Sequence, residues 1–244
     1  MHNKAGRADR DVVRGLYAIT PDDLPASTLF PVLDALFADG LRLLQIRRKG
    51  TDRTSLEAEA RQIVALAVPH DACVIVNDDL ELALACGAHG VHWGRDDAPY
   101  EVTALRAQIK QAKSHAAAAE AFLVGISCYD NFERAEMAHA AGADYVAFGS
   151  FFASSTKPHA VRADLGLLRQ ARDRRAMPAV AIGGVTRDNA STLVEAGASA
   201  IAVISDLFAP PNSNAADTAG VVSRARVFHR LFADQPAKAV TTSS

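Results

Sequence analysis

Eight short apolar runs rich in β-branched residues punctuate this chain, separated by polar and amphipathic stretches. They lie at residues 15–20 (GLYAIT), 41–47 (LRLLQIR), 73–77 (CVIVN), 89–93 (HGVHW), 122–127 (FLVGIS), 145–149 (YVAFG), 179–183 (AVAIG) and 200–205 (AIAVIS). Runs this short and this continuously apolar suit parallel strands buried on both faces. Between them, residues 28–38, 55–67, 80–86, 129–140, 164–175 and 189–196 carry apolar side chains at three- and four-residue spacing, the pattern of helices that bury one face. Eight strand–helix units in series predict an α/β chain folded as a single (β/α)8 TIM barrel. A doubly wound open sheet is the structural rival, but it usually has fewer strands.

The length of 244 residues fits one such barrel. With 49% hydrophobic but only 6% aromatic residues, the core has to be drawn mostly from Ala, Val, Leu and Ile. Three helix ends share a Gly-Ala step (Gly87-Ala88, Gly142-Ala143, Gly197-Ala198), a weak internal repeat of the helix-to-strand turn. The expected organisation is a flexible segment over 1–13, the barrel over 14–235 with its last helix near 221–232, and a flexible tail over 236–244. The Ala-rich stretch 114–121 reads as a helix extension or linker.

A formal net charge of −2, from 26 basic and 28 acidic residues, gives no reason to expect a nucleic-acid or membrane partner. Anion binding has to be local. Cys73, Cys86 and Cys128 show no metal-binding spacing and read as reduced thiols, which together with an N-terminus lacking an apolar core predicts a cytoplasmic protein. Composition leaves monomer or small homo-oligomer open.

In a barrel of this kind, chemistry sits at the carboxyl ends of the strands. The second run ends in Gln45-Ile46-Arg47-Arg48-Lys49, where cations directly after a buried strand suit a polyphosphate, although a solvated charge run is the plainer alternative. Asn77-Asp78-Asp79 follows the third run and Arg95-Asp96-Asp97 the fourth; carboxylates on adjacent strands can share Mg2+, whereas Asp79 reads as the cap of the helix after it. His92, inside a strand, reads as a core histidine. Ser127 stands at the rim. The loop 149–158 (GSFFASSTKP) offers hydroxyls and Lys157, and Gly183-Gly184 with Ile204-Ser205 falls where loops seven and eight of such barrels often bind phosphate. Two anion sites emerge, one cationic and metal-assisted, one of backbone donors and hydroxyls.

These pieces together resemble the thiamine-phosphate synthase family: 45–49 (QIRRK), 77–79 (NDD), 90–97 (GVHWGRDD), 125–127 (GIS), 149–158, 182–185 (IGGV) and 202–205 (AVIS), in family order over about 15–208. The resemblance implies a transferase joining a hydroxymethylpyrimidine diphosphate to a thiazole phosphate, with release of pyrophosphate. It implies that Gln45, Ile46, Arg47, Arg48, Lys49, Asn77, Ser127 and Lys157 hold the pyrimidine diphosphate, Arg47, Lys49, Ser127 and Lys157 forming the catalytic set. Asp78 and Asp97 would bind Mg2+. Ser154, Ser155, Thr156, Gly184, Ile204 and Ser205 would hold the thiazole phosphate. The partners are then two small phosphorylated substrates. Arg48 stands where the family usually has an acid, Arg95 where it has glutamine, Ser150 where it has proline and Ser154 where it has threonine. The alternatives are a thiazole tautomerase-like paralogue on the same barrel, and a non-catalytic barrel that binds a phosphorylated ligand.

Overall fold

Every one of the eight apolar runs is a strand in the computed structural model, which describes residues 12–116, 121–153, 161–174, 177–208 and 217–233. The strands are β1 (Gly15–Ile19), β2 (Leu43–Ile46), β3 (Cys73–Asn77), β4 (Gly90–Trp93), β5 (Leu123–Tyr129), β6 (Tyr145–Phe148), β7 (Ala179–Ile182) and β8 (Ala200–Val203). Each pairs in parallel with its neighbours in sequence, and β8 pairs with β1, so the sheet closes. The (β/α)8 barrel expected from the sequence is the fold.

The helices are α1 (Ala26–Ala38), α2 (Arg53–Ala67), α3 (Leu80–Cys86), α4 (Val102–His115), α5 (Phe132–Ala141), α6 (Gly166–Asp173), α7 (Ala190–Ala196), the short α8 (Ser205–Phe208) and α9 (Thr218–Ala233). Local chemistry sets their starts. Asp52 accepts from the Ser55 N–H at 3.0 Å and opens α2 two residues before the periodic stretch begins. Asn131 caps α5 by accepting from the Arg134 N–H at 2.9 Å, so 129–131, expected as helix, instead ends β5 and turns. The Gly-Ala steps close α3, α5 and α7, with Gly87, Gly142 and Gly197 in the left-handed conformation.

Strand alternation divides the core in two. Outward residues such as Leu44, Val74, Trp93 and Phe148 pack against the helices in one large cluster. Inward residues, among them Val13, Tyr17, Leu43, Ile75, Leu123 and Tyr145, fill the barrel itself. Cys73, Cys86 and Cys128 are free, buried thiols; burial pushes Cys73 and Cys128 up to about 12, which leaves them unreactive. Among the described residues no helix is long and apolar enough to cross a membrane.

One imidazole replaces a strand partner. The Val74 N–H donates to Nδ1 of His89 at 3.0 Å, while the His89 N–H donates to the Val74 carbonyl at 2.8 Å. Protonation would turn that acceptor into a donor facing a donor. Burial accordingly lowers the His89 pKa below its usual 6.5. A depressed histidine contributes stability that is present above pH 6.5 and lost as pH falls through the folded-state value. The urea midpoint should therefore drop between pH 7.5 and pH 5 by more in the wild type than in His89→Asn, whose side-chain oxygen can accept from Val74 at either pH.

Candidate active site

Closure gathers the carboxyl ends of all eight strands around one mouth. Gln45 alternates with the interior residue Leu43, Asn77 with Ile75, and Ser127 with Leu123, which places all three on the inner face. Register aligns Asn77 with His92, and His92 with Gly125. Ile46 has the opposite parity and is buried in the outer core, so only its backbone can serve the mouth.

The segment after β2 is held by the loop between β1 and α1. Buried Thr20 donates to the Arg47 carbonyl at 2.9 Å and accepts from the Arg47 N–H at 2.8 Å. Asp22 accepts from the Arg47 guanidinium and from the Lys49 N–H, both at 2.7 Å. Arg48 donates to Glu59 of α2 at 3.1 Å and to the carbonyls of Pro21 and Leu24 at 3.0 and 2.6 Å. Its side chain is 6% exposed and its donors are engaged within the protein. It anchors the loop and also lines the adjoining pocket, where the family resemblance implied a contact with the diphosphate. A pocket of about 160 Å3 opens beside this segment, lined by Arg47, Lys49, Asn77 and Asp78 among others.

Asp78 leaves β3 in a left-handed conformation, φ 62°. Its N–H donates to the His92 carbonyl at 2.8 Å, and its carboxylate accepts from the Asn77 amide at 2.5 Å. Asp97 accepts from the Gly94 N–H at 3.1 Å. Burial first, then the adjacent charge of Asp97 and a hydrogen bond with it, push the Asp78 pKa up to about 6, against the pull of the Gly94 N–H and of Lys49. Two carboxylates that resist joint ionisation form a place where a divalent cation would relieve the repulsion. Among the described residues no cluster of three or more His, Cys, Asp or Glu gathers. A two-carboxylate set suits Mg2+, which commonly keeps waters and takes phosphate oxygens for the rest of its shell. Asp79 caps α3, accepting from the Leu82 N–H at 2.8 Å, and also pairs with Arg53.

A polar line crosses the barrel interior below the mouth. Gln45 Nε2 lies 2.9 Å from Tyr17 Oη, Tyr17 Oη 2.9 Å from Tyr145 Oη, Tyr145 Oη 3.1 Å from His92 Nδ1, and His92 Nε2 2.9 Å from Ser127 Oγ. Burial lowers the His92 pKa to about 4, so the ring is neutral at physiological pH. His92 is the core histidine the sequence suggested, with both nitrogens satisfied, but one partner is a site residue. On the other flank, buried Arg134 donates through Nε to the Ser127 carbonyl at 2.9 Å and lies 3.8 Å over the Tyr100 ring.

Gly184 and Ile204 stand two residues beyond the paired positions Ile182 and Ala202, so the loops after β7 and β8 leave the barrel side by side. Gly183 and Gly184 have φ of 99° and 64°. A Cβ on Gly184 would lie 2.3 Å from the Ala153 carbonyl, so only glycine lets the β7 loop pass under the β6 loop. Ser150, in place of the usual proline, donates to the Phe152 carbonyl at 2.7 Å. Ser154, Ser155, Thr156 and Lys157 lie outside the described residues. Arg95 is exposed and sits 4.6 Å over the Tyr129 ring.

Sequence reasoning missed Thr20, Asp22, Tyr17, Tyr145 and Arg134. The inward alternation of β1 and β6 marks both tyrosines as interior, and the polar Thr20-Pro21-Asp22 after β1 resembles the other rim segments. Nothing local marks Arg134, a helix residue whose role depends on tertiary contact.

Fold and rim together define a class: a (β/α)8 barrel with cations and paired carboxylates at the strand carboxyl ends. Residues 16–207 match the family model described as thiamine monophosphate synthase. A thiamine-phosphate synthase of Azoarcus sp. (strain BH72) is 45% identical over 221 residues, covering 91% of this chain and 98% of the relative. One of Chromobacterium violaceum is 47% identical over 204 residues, covering 84% and 93%. Among solved structures, a thiamine phosphate pyrophosphorylase from Pyrococcus furiosus matches with a TM-score of 0.70 at 28% identity, covering 91% of this chain and 96% of that one. The chain belongs to the thiamine-phosphate synthase family.

Arg48 provides a direct check on the loop. Arg48→Ala leaves the partly buried Glu59 and two loop carbonyls without their partner, and should lower stability by about 1–3 kcal/mol, read as a fall in the denaturant midpoint. An unchanged midpoint with a raised KM for the diphosphate substrate would instead place Arg48 on the ligand.

Proposed function

We propose that the chain condenses 4-amino-2-methyl-5-(diphosphooxymethyl)pyrimidine with 4-methyl-5-(2-phosphooxyethyl)thiazole, giving thiamine phosphate and pyrophosphate, as a cytoplasmic step of thiamine diphosphate biosynthesis. The observation that carries this reading is the Asp78–Asp97 carboxylate pair held together at the rim beside Lys49, in a chain that is 45% identical to a thiamine-phosphate synthase over nearly the whole of both. A tautomerase-like relative or a passive phosphate-binding barrel has no use for two carboxylates held against each other.

Asp78 and Asp97 would hold Mg2+, which when bound offsets the negative charge of the diphosphate. Arg47 and Lys49 line the adjoining pocket and would meet the same phosphates; by the family resemblance Lys157 would act on them too. The thiazole nitrogen donates its lone pair to the pyrimidine methylene carbon. The carbon–oxygen bond to the diphosphate breaks, and its electron pair leaves with pyrophosphate. The attacking nitrogen carries no proton, so no protein base is needed. The protein's work is to hold two reactants in line and to stabilise charge gathering on the departing oxygens. Gln45, Asn77 and Ser127 orient the pyrimidine. Gly184, Ile204 and Ser205, with Ser154, Ser155 and Thr156, hold the thiazole phosphate through backbone N–H groups and hydroxyls.

Mixing the protein with both substrates and Mg2+ should yield thiamine phosphate and pyrophosphate in equal amounts. Asp78→Ala and Asp97→Ala should each lower kcat by about a hundredfold or more, as loss of a group stabilising transition-state charge does. Full turnover in excess chelator would remove the metal, and thiazole isomerisation without pyrophosphate would favour the tautomerase reading. Lys157→Ala should lower kcat while leaving the KM for thiazole phosphate near the wild-type value; unchanged turnover would take Lys157 out of the leaving-group role.

A further inference from the structure

The line of hydrogen bonds under the mouth has a direction. Each hydroxyl in it owns one hydrogen, and a neutral imidazole carries one hydrogen on one of its two nitrogens. Tyr17 and Tyr145 are fully buried and their hydroxyls have no other partner among the described residues, so with each hydrogen spent inside the line, fixing one bond fixes the rest. Gln45 donates through Nε2 to Tyr17 Oη. Tyr17 must then pass its own hydrogen to Tyr145, and Tyr145 must donate to Nδ1 of His92. Nδ1 is thereby an acceptor, the ring hydrogen sits on Nε2, and Nε2 donates to Ser127 Oγ. The Ser127 hydrogen is left for a group outside the line. At the other end the Gln45 side-chain oxygen, which has no hydrogen-bond partner among the described residues, is left as an acceptor.

We propose that Tyr17, Tyr145 and His92 are positioning residues that set the hydrogen polarity of the pyrimidine subsite: they make Ser127 an obligate donor and the Gln45 oxygen an obligate acceptor. The ligand's identity rests on the function proposed above; the polarity does not. Ends of fixed and opposite sense select a ligand that offers an N–H to Gln45 and a lone pair, from a ring nitrogen or a phosphate oxygen, to Ser127. A pyrimidine with an oxo group in place of the amine would set acceptor against acceptor at Gln45, a mismatch between buried polar groups that discriminates strongly. Geometry supports a line set as a unit. The Tyr145 ring lies against Gly125, where a Cβ would come within 2.1 Å of the ring, and meets the Tyr17 ring edge to face at 6.1 Å, so neither hydroxyl can swing away without disturbing the packing.

The tautomer of His92 tests the polarity on the protein alone. Protein labelled with 15N at histidine, with the His92 signal assigned by its loss in His92→Gln, should show an Nε2–H ring with a bare Nδ1. An Nδ1–H ring would mean that the line runs from Ser127 towards Gln45, and would overturn the assignment. Tyr145→Phe keeps the ring and removes the hydroxyl. It should release the tautomer preference and lower kcat about tenfold, with the KM for thiazole phosphate unchanged. Tyr17→Phe, a second probe one bond further away, should act in the same direction. His92→Gln, whose amide can donate to Ser127, should retain more activity than His92→Leu. Phenylalanine variants with wild-type kcat and an unaltered imidazole signal would sink the positioning role. A wild type with the expected tautomer but no thiamine phosphate formation would instead count against the proposed reaction.

Discussion

Two tyrosine rings stand where barrels of this architecture usually pack branched aliphatic side chains, and much of the site follows from satisfying their hydroxyls. Tyr17 and Tyr145 are fully buried and meet at 77° between ring planes. A buried hydroxyl without a partner costs about 1–3 kcal/mol. Each tyrosine answers part of the other's need, and the remainder has to come from inward positions on other strands. Gln45 and His92 supply it. His92 then needs a partner for its second nitrogen, and Ser127 is there. Once the tyrosines fill the barrel, a glutamine, a neutral histidine and a serine follow around its upper layer, and the floor of the mouth is polar without carrying a net charge.

Charge is confined to the rim, where it is held in place before any ligand arrives. Thr20 and Asp22 fix the backbone of Arg47 and Lys49, and Arg48 ties that segment to α2 through Glu59. The reward for such fixing is that donors need not reorganise when charge develops, the main source of electrostatic catalysis. Asp78 belongs to the same arrangement from the other side. Its left-handed backbone and its bond to the His92 carbonyl hold it against Asp97 in spite of their repulsion.

The barrel was legible because its evidence is periodic and local: eight apolar runs, amphipathic spacers and repeated Gly-Ala steps. Boundaries failed where a single side chain decided them, as at Asn131, which caps α5 after β5 has run on to Tyr129. At the site, sequence marked groups at strand ends but not their partners. Arg48 shows why. In the chain it is one of three consecutive cations, and nothing in that run says that the middle guanidinium meets Glu59 and two loop carbonyls. The tyrosines were hidden for another reason. In strands buried on both faces they read as more apolar core, and only closure of the sheet turns their hydroxyls toward His92 and Gln45.

The same closure explains why the two proposed anion sites differ in kind. On the proposed reading, the diphosphate changes its charge during the reaction while the thiazole phosphate does not. Only interactions that strengthen on the way to the transition state raise the rate of the chemical step. Cations and a metal are therefore useful where pyrophosphate departs, beside β2, β3 and β4, and would add only uniform binding at the spectator phosphate. Backbone N–H groups near Gly184 and Ser205 suffice there: they give orientation and retention without the strong charge pairing that would slow release of a product still carrying that phosphate.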